Sequence, residues 1–481
     1  MKKTIRKINS VILSVILVCL IFPVRASASY EIPKTCQVQT DTGVAYTVKT
    51  LDYSYDCNTY FSMRDIAVAL NGTDKSFSLE ITKNAVSLTP GSAYTPVGVE
   101  NIPWEDVENP DISLRRNEMK VNGQEVRYYT LIMALPSGHY DCFMMVADLA
   151  MILDMNITVS EAGVLQLQTQ APFRIDPAAL EQAGYFYGVN SVLVGDAATG
   201  EYYYQYQSDI SYPIASTSKL MTCLLAMEAI SQGRLSLEEP VIISEAVQAL
   251  SASDDGVIPL ETGEQITVQE LLLGALLPSS NECALCLAEA IAGSEEAFVE
   301  KMNQKALDLG LSQAIFFNCN GLPSYTQEPI PAKRQNRMSA EDMFRLVSYL
   351  LRVYPQITDM TSLQSATLQS LDLEVRNTNP LLHNLPEVTG LKTGTTNKSG
   401  ACLVTSLTVD DGNMKHDLIV IVLGTEDSIE RGRVSELLAK YALQVFDTGM
   451  EETKNEALPQ NLPTHAGAAV DWILRTARTK Q

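Results

Sequence analysis

In Tyr212-Pro-Ile-Ala-Ser-Thr-Ser-Lys-Leu-Met-Thr222, a serine and a lysine, Ser216 and Lys219, stand three apart at the head of an apolar run. Leu220, Met221, Leu224, Leu225, Met227 and Ile230 recur at helical spacing, which predicts a helix from Lys219 to about residue 230. A serine and a lysine three apart on such a helix share one face. A lysine sunk beside apolar surface loses hydration, so its pKa falls and it can accept a proton. A serine hydroxyl is a weak nucleophile until such a base stands next to it. The plainer reading is a capped helix with a surface lysine, and one S-x-x-K is expected by chance in roughly every chain of this length. Alone, the pair decides nothing.

Two further stretches change the reading. Leu277-Pro-Ser279-Ser-Asn281 follows Ser216 by 63 residues, and Gly390-Leu-Lys392-Thr-Gly394-Thr-Thr396 lies 113 residues beyond Ser279. S-x-x-K, S-x-N and K-T-G in this order resemble the active-site-serine penicillin-recognising enzymes. Phe317-Asn-Cys-Asn-Gly-Leu322, Asn377-Thr-Asn-Pro-Leu-Leu382 and Leu391-Lys-Thr-Gly-Thr-Thr-Asn-Lys-Ser-Gly400 resemble one branch, the low-molecular-mass D-alanyl-D-alanine carboxypeptidases. The resemblance covers about residues 172–447. It implies a β-lactamase/transpeptidase-like α/β (α+β) catalytic domain, in which an antiparallel sheet is flanked by helices and interrupted by a helical insert.

The 481 residues leave room for two or three domains. A net charge of −22 without any basic stripe excludes a nucleic-acid partner. Residues 1–28 read as an export signal: Lys2, Lys3, Arg6 and Lys7, an apolar run over 11–24, then Ala26-Ser-Ala28 as the cleavage site. The apolar run is shorter than the roughly 20 residues a membrane span needs. The expected location is therefore extracytoplasmic, at the cell wall or the outer face of the membrane. Nine cysteines are present, and sequence assigns no pairs among them, although Cys36 with Cys57 is conceivable. Cys283-Ala-Leu-Cys286 lies on an apolar helix with no second C-x-x-C, which favours core packing over metal or redox chemistry. His139, His383, His416 and His465 are far apart in sequence, so no cofactor or metal is expected.

Residues 30–170 read as a small α+β domain with an internal repeat. Asp65-Ile-Ala-Val-Ala-Leu70 matches Asp148-Leu-Ala-Met-Ile-Leu153 at an offset of 83, each followed by a β-patterned stretch, at 77–81 and 157–159. Asn122-Gly123 suits a tight hairpin. The region resembles the repeat domain at the N-terminus of copper amine oxidases, without residues for that enzyme's chemistry. It is expected to be a self-contained spacer or wall-binding module. The catalytic domain, 171–447, is expected to open with strands over 189–194 and 201–205 and to continue through helices over 268–277, 282–292 and 296–309. Strands over 402–409 and 418–423 and a closing helix over 430–445 then complete it. In the tail, 448–481, Trp472, Arg475, Arg478 and Lys480 would suit peripheral contact with an anionic membrane, against the plainer alternative of a frayed or docked terminal helix.

The resemblance also implies a mechanism. Ser216 is the nucleophile, Lys219 its base, and Ser279 the relay of the proton to the leaving amine. The backbone amides of Ser216 and Thr395 stabilise the oxyanion. Asn281 holds the substrate amide, while Lys392, Thr393, Gly394 and Thr395 form the carboxylate subsite, assisted by Arg433. The implied substrates are peptidoglycan stem peptides ending in D-Ala-D-Ala, with β-lactams as covalent inhibitors. Three alternatives stay open: a D,D-endopeptidase, a β-lactamase, and a non-catalytic penicillin-binding scaffold. Class A β-lactamases would add a Glu-x-x-Leu-Asn where this chain reads Gln313-Ala-Ile-Phe-Phe-Asn318.

Overall fold

The structure, a computed structural model, describes residues 31–448 apart from 54–58, 101–110, 116–117, 127, 129, 136, 160–163, 183–185, 187, 326–332 and 411. The segment expected to be an export signal, Cys57 and the tail beyond Thr448 lie outside the described residues.

The N-terminal part is built on an eight-stranded sheet. Its spatial order is Asn156–Val159, Leu165–Gln168, Glu31–Thr40, Ala45–Tyr53, Thr59–Ser62, Tyr140–Met145, Thr130–Ala134 and Asp111–Arg115. Neighbours run antiparallel except Glu31–Thr40 beside Leu165–Gln168. A four-stranded sheet (Phe77–Ile81, Ala85–Pro90, Glu118–Val121, Gln124–Val126) accompanies it. The last two strands are joined at Asn122 and Gly123, with φ of 52° and 79°, the left-handed pair that a two-residue hairpin turn requires. The repeat is visible as strand, helix, strand. Thr59–Ser62 leads into helix Met63–Leu70 and strand Phe77–Ile81, and Tyr140–Met145 leads into helix Val146–Leu153 and strand Asn156–Val159. The third residue of each helix is a buried aspartate, Asp65 or Asp148. Asp65 takes both the backbone N–H and the ammonium of Lys49, each at 2.9 Å.

The catalytic part has a five-stranded antiparallel sheet in the order Tyr202–Tyr206, Ser191–Asp196, Lys415–Thr425, Gly400–Asp410 and Val388–Thr396. Strands from both ends of the domain meet in it, and a mainly helical insert lies between. Its central strands are apolar on both faces, as sheets covered on two sides are. Ile419, Ile421 and Leu423 join the core of the insert, while the alternating Leu418, Val420 and Val422 pack with Val434, Leu437 and Leu438 of the closing helix, Ser428–Thr448. The second of these cores is continuous with that of the N-terminal sheet. The 30–170 region is thus docked on the catalytic part rather than standing apart from it.

Within the insert, helix Val268–Leu276 starts at a capping box. Thr267 accepts from the Glu270 amide and Glu270 accepts from the Thr267 amide, an arrangement worth about 1 kcal/mol. Helix Lys219–Ser231 is buried on all sides over most of its length, so it is a core helix rather than an amphipathic one. Cys283 and Cys286 are buried in the same core as free thiols.

Candidate active site

Ser216 does not lie on the regular helix. It occupies a 3-10 turn, Ala215–Ser218, that leads into Lys219–Ser231. In a 3-10 turn residues i and i+3 eclipse, which brings the serine and lysine side chains together. The turn is held by its own hydroxyls: Thr217 Oγ1 donates to the Ile214 carbonyl at 2.6 Å, and Ser218 Oγ to that of Ala215 at 2.7 Å. Ala215 enters it at φ +47°, and Gly321 packs so tightly beneath that a Cβ there would lie 2.0 Å from the Ala215 oxygen. Gly321 belongs to the 317–322 stretch, which thereby serves as the floor of the nucleophile turn.

Lys219 is fully buried. Its Nζ donates to Ser216 Oγ at 2.9 Å, Asn281 Oδ1 at 2.8 Å and the Asn320 carbonyl at 3.0 Å. Desolvation draws its pKa down to about 8, opposed by the negative charge of Glu282. Two of its three partners are obligate acceptors. When the ammonium loses a proton, its two remaining N–H groups stay on Asn281 and Asn320, and its lone pair is left facing the Ser216 hydroxyl. The geometry is that of a base aimed at one oxygen.

Ser279 sits at the turn between helices Val268–Leu276 and Asn281–Ala292, with φ +70°. A non-glycine residue in this region is uncommon and is held there by its surroundings. Ser280 caps the second helix through the Cys283 amide, which leaves Asn281 in its first turn and pointing at Lys219. Asn281 Nδ2 donates to the Asp255 carbonyl at 2.8 Å, so its amide bridges the lysine and the 251–260 loop. Glu282, also buried, accepts from the Val257 and Ile258 amides of that loop.

The third stretch forms the sheet edge, Val388–Thr396. Lys392 is fully buried and donates to the Thr393 carbonyl at 3.0 Å. Burial, then the charges of Lys219 and Arg431, hold its pKa well below the usual lysine range. Gly394 faces the nucleophile turn, and Thr395 is exposed beyond it. The 377–382 stretch ties the pieces together. Thr378 bonds Thr393 Oγ1 at 2.6 Å and donates to the Leu277 carbonyl, while Asn379 Nδ2 donates to the Gly390 carbonyl at 2.8 Å.

Ser216, Lys219, Asn281, Lys392, Gly394 and, through Thr378, Thr393 are therefore gathered in one place. Arg433 is not. It is buried against Asp148 Oδ1 at 3.4 Å and Glu430 Oε1 at 3.1 Å, away from the sheet edge, so its assignment to the carboxylate subsite is corrected. Arg431 reaches the site instead, its Nη1 donating to Thr395 Oγ1 at 3.3 Å. Asn320, in the 317–322 stretch, is a further partner of Lys219, and because it acts through its backbone carbonyl its side chain gives no sign of this in the sequence.

A buried lysine aimed at a serine, beside a strand that carries a second buried lysine, is an arrangement suited to serine-type acyl transfer. Residues 187–427 match the Peptidase S11 family, D-alanyl-D-alanine carboxypeptidase. The chain belongs to this family. It is 34% identical over 271 residues to D-alanyl-D-alanine carboxypeptidase DacF of Bacillus subtilis, covering 56% of this chain and 65% of that protein. It is 32% identical over 227 residues to the D-alanyl-D-alanine endopeptidase of Pseudomonas aeruginosa, covering 46% and 67%. Among solved structures, a peptidoglycan synthesis regulatory factor (PBP3) from Streptococcus pneumoniae is similar at 31% identity and a TM-score of 0.49, over 53% of this chain and 72% of that one. Ampicillin-bound penicillin-binding protein D2 from Listeria monocytogenes is similar at 27% and 0.45, over 53% and 97%.

Proposed function

We propose that the protein is a serine D-alanyl-D-alanine carboxypeptidase acting on peptidoglycan stem peptides. The observation that carries this reading is Lys219 Nζ, 2.9 Å from Ser216 Oγ, with its other two acceptors fixed. Ser216 Oγ attacks the carbonyl of the penultimate D-Ala while its proton passes to neutral Lys219. Negative charge develops on the carbonyl oxygen between the amides of Ser216 and Thr395, each such donor typically worth a few kcal/mol. The C–N bond breaks, and the proton reaches the leaving D-Ala amine through Ser279. Lys392, Thr393, Thr395 and Arg431 supply cations and hydroxyls for the terminal carboxylate. Water then hydrolyses the ester, returning a proton to Oγ and releasing the shortened peptide.

Arg431 takes the place in this scheme that sequence had given to Arg433. Action outside the cytoplasm, a wall-binding or spacer role for residues 30–170, and membrane contact by the tail complete the proposal. Incubation with a peptide ending in D-Ala-D-Ala should release one D-Ala per chain, and Ser216→Ala should release none. An endopeptidase activity is the second reading, because a 32% identical relative carries that name. Digestion of cross-linked muropeptide dimers separates the two: free D-Ala supports the first, split dimers the second.

A further inference from the structure

The closing helix carries two arginines, Arg431 and Arg433, that face opposite ways. Two residues along an α-helix turn through about 200°. Arg431 points to the sheet edge, where it meets Thr395, and its charge helps depress the pKa of Lys392. Arg433 points to the N-terminal sheet. Only 3% exposed, it meets Asp148 at 3.4 Å, Met145 Sδ at 3.9 Å and Glu430 of its own helix at 3.1 Å. Tyr128, also buried, lies at the same junction. Burial first, then the charges of Glu436 on the closing helix and of Asp148, push its hydroxyl well above the usual range.

The two copies of the repeat differ at this point. Asp65 takes its cation from Lys49 of its own sheet, whereas Asp148, at the equivalent place, meets an arginine of the catalytic helix. A charge pair this deeply buried cannot be parted without leaving a charge stranded in the core, so it fixes the two bodies against each other. Because both arginines share one rigid helix, whatever fixes Arg433 also fixes the reach of Arg431. A displacement of about 1 Å at a group that holds the substrate by its end weakens that hold, which is read in KM and in the rate of acylation by carboxylate-bearing ligands.

We propose that Asp148 and Arg433 are positioning residues for the active site: through this buried pair the N-terminal module sets the closing helix so that Arg431 stands beside Thr395 to receive the substrate's terminal carboxylate. The identity of that ligand rests on the carboxypeptidase reading above. The module is then a working part of the enzyme and not only a spacer.

The test uses the full chain carrying Asp148→Asn, which removes the charge and keeps the shape. KM for a diacetylated peptide ending in D-Ala-D-Ala should rise about tenfold, with kcat within about twofold. Acylation of Ser216 by benzylpenicillin should slow about tenfold, while acylation by its methyl ester, which lacks the carboxylate, should be unchanged. Arg431→Gln should reproduce this pattern, and the double variant should be no worse than Arg431→Gln alone. Arg433→Lys keeps the buried charge but loses the fork, and should shift the acid–ester ratio in the same direction by less. If Asp148→Asn fails to fold, that variant decides alone. A folded variant that separates acid from ester as the wild type does, or an Asp148→Asn effect that adds in full to Arg431→Gln, overturns the proposal. If the wild type releases no D-Ala, the carboxypeptidase reading fails, and the penicillin comparison still judges the pair.

Discussion

Gly394 lies against the backbone of Ser216: a Cβ on Gly394 would stand 2.8 Å from the Ser216 nitrogen and 2.9 Å from that of Thr217. The sheet edge and the nucleophile turn touch main chain to main chain, and only a residue without a side chain permits it. The Ser216 amide is one of the two donors assigned to the oxyanion, so this contact sets the distance between them.

Gly394→Ala should therefore misplace an oxyanion donor while leaving the fold intact. Acylation by a fluorescent penicillin is expected to slow by about a hundredfold or more, the usual cost of losing one such donor. A circular-dichroism spectrum matching the wild type would accompany it. Labelling at wild-type rate would remove this contact from the mechanism.

Lys219 must be neutral to accept the serine proton, and burial places its pKa at about 8. The neutral fraction rises with pH, so acylation should climb about tenfold per unit below pH 8 and level off above it. At pH 6 the rate should be about a hundredfold below the plateau. Stopped-flow acylation across pH 5–10 measures this. Lys219→Arg should show no acylation at any of these values, because a guanidinium stays protonated.

Glu282 acts on that profile from behind. Its negative charge favours the protonated form of Lys219, and its carboxylate holds the 251–260 loop by the Val257 and Ile258 amides. Removing the charge lowers the lysine's pKa further, so Glu282→Gln should move the acid limb of the rate profile to lower pH. Both amides share one carboxylate oxygen, so the glutamine can keep its own oxygen on them, and weakening these charge-assisted bonds to neutral ones should cost about 1–2 kcal/mol in urea unfolding. An acid limb unmoved or displaced to higher pH would contradict the electrostatic coupling.

In the N-terminal sheet, Lys49 stands 2.9 Å from Asp65 and 3.9 Å from Asp141, all three buried. Lys49→Met leaves Asp65 without this cation and should destabilise the protein by about 3–5 kcal/mol. Lys49→Met/Asp65→Leu, an apolar replacement of the pair, should recover part of that loss, since buried Asp141 still lacks its cation and the residue-49 amide its acceptor. Thermal melts of the two variants are sufficient, and equal losses would rule out the charge pair as the cause.

The three short stretches were legible in sequence because each places its groups within a few residues, where local geometry settles what can meet. The repeat was legible for the same reason. What escaped depended on long-range packing. Arg431 and Arg433 both fall in the first turns of the closing helix, and which one faces the site depends on how that helix rolls on the sheet. Asp148 reads as an ordinary acidic residue in a helix's first turn, with no local sign of a partner 285 residues away. Nor does any local pattern distinguish the 3-10 turn at Ser216 from the first turn of an α-helix. Asn320 enters the site through its carbonyl, which sequence cannot single out.

The sheet's order has a consequence in time. Ser191 pairs with Leu423, 232 residues apart in sequence, and Lys392 reaches its place only through the strand beside them. Such pairing must bear the entropy of closing a very long loop before any contact rewards it. Between 215 and 361 most of the described residues are helical, and helices, whose bonds are local, can form much sooner. A chain caught between these two stages holds Ser216 and Lys219 but has no edge strand against them. It can neither cradle a carboxylate nor complete the oxyanion site. Reactivity toward penicillin therefore reports the closure of the last strand rather than the presence of the nucleophile, and a labelling time course during refolding would clock that closure.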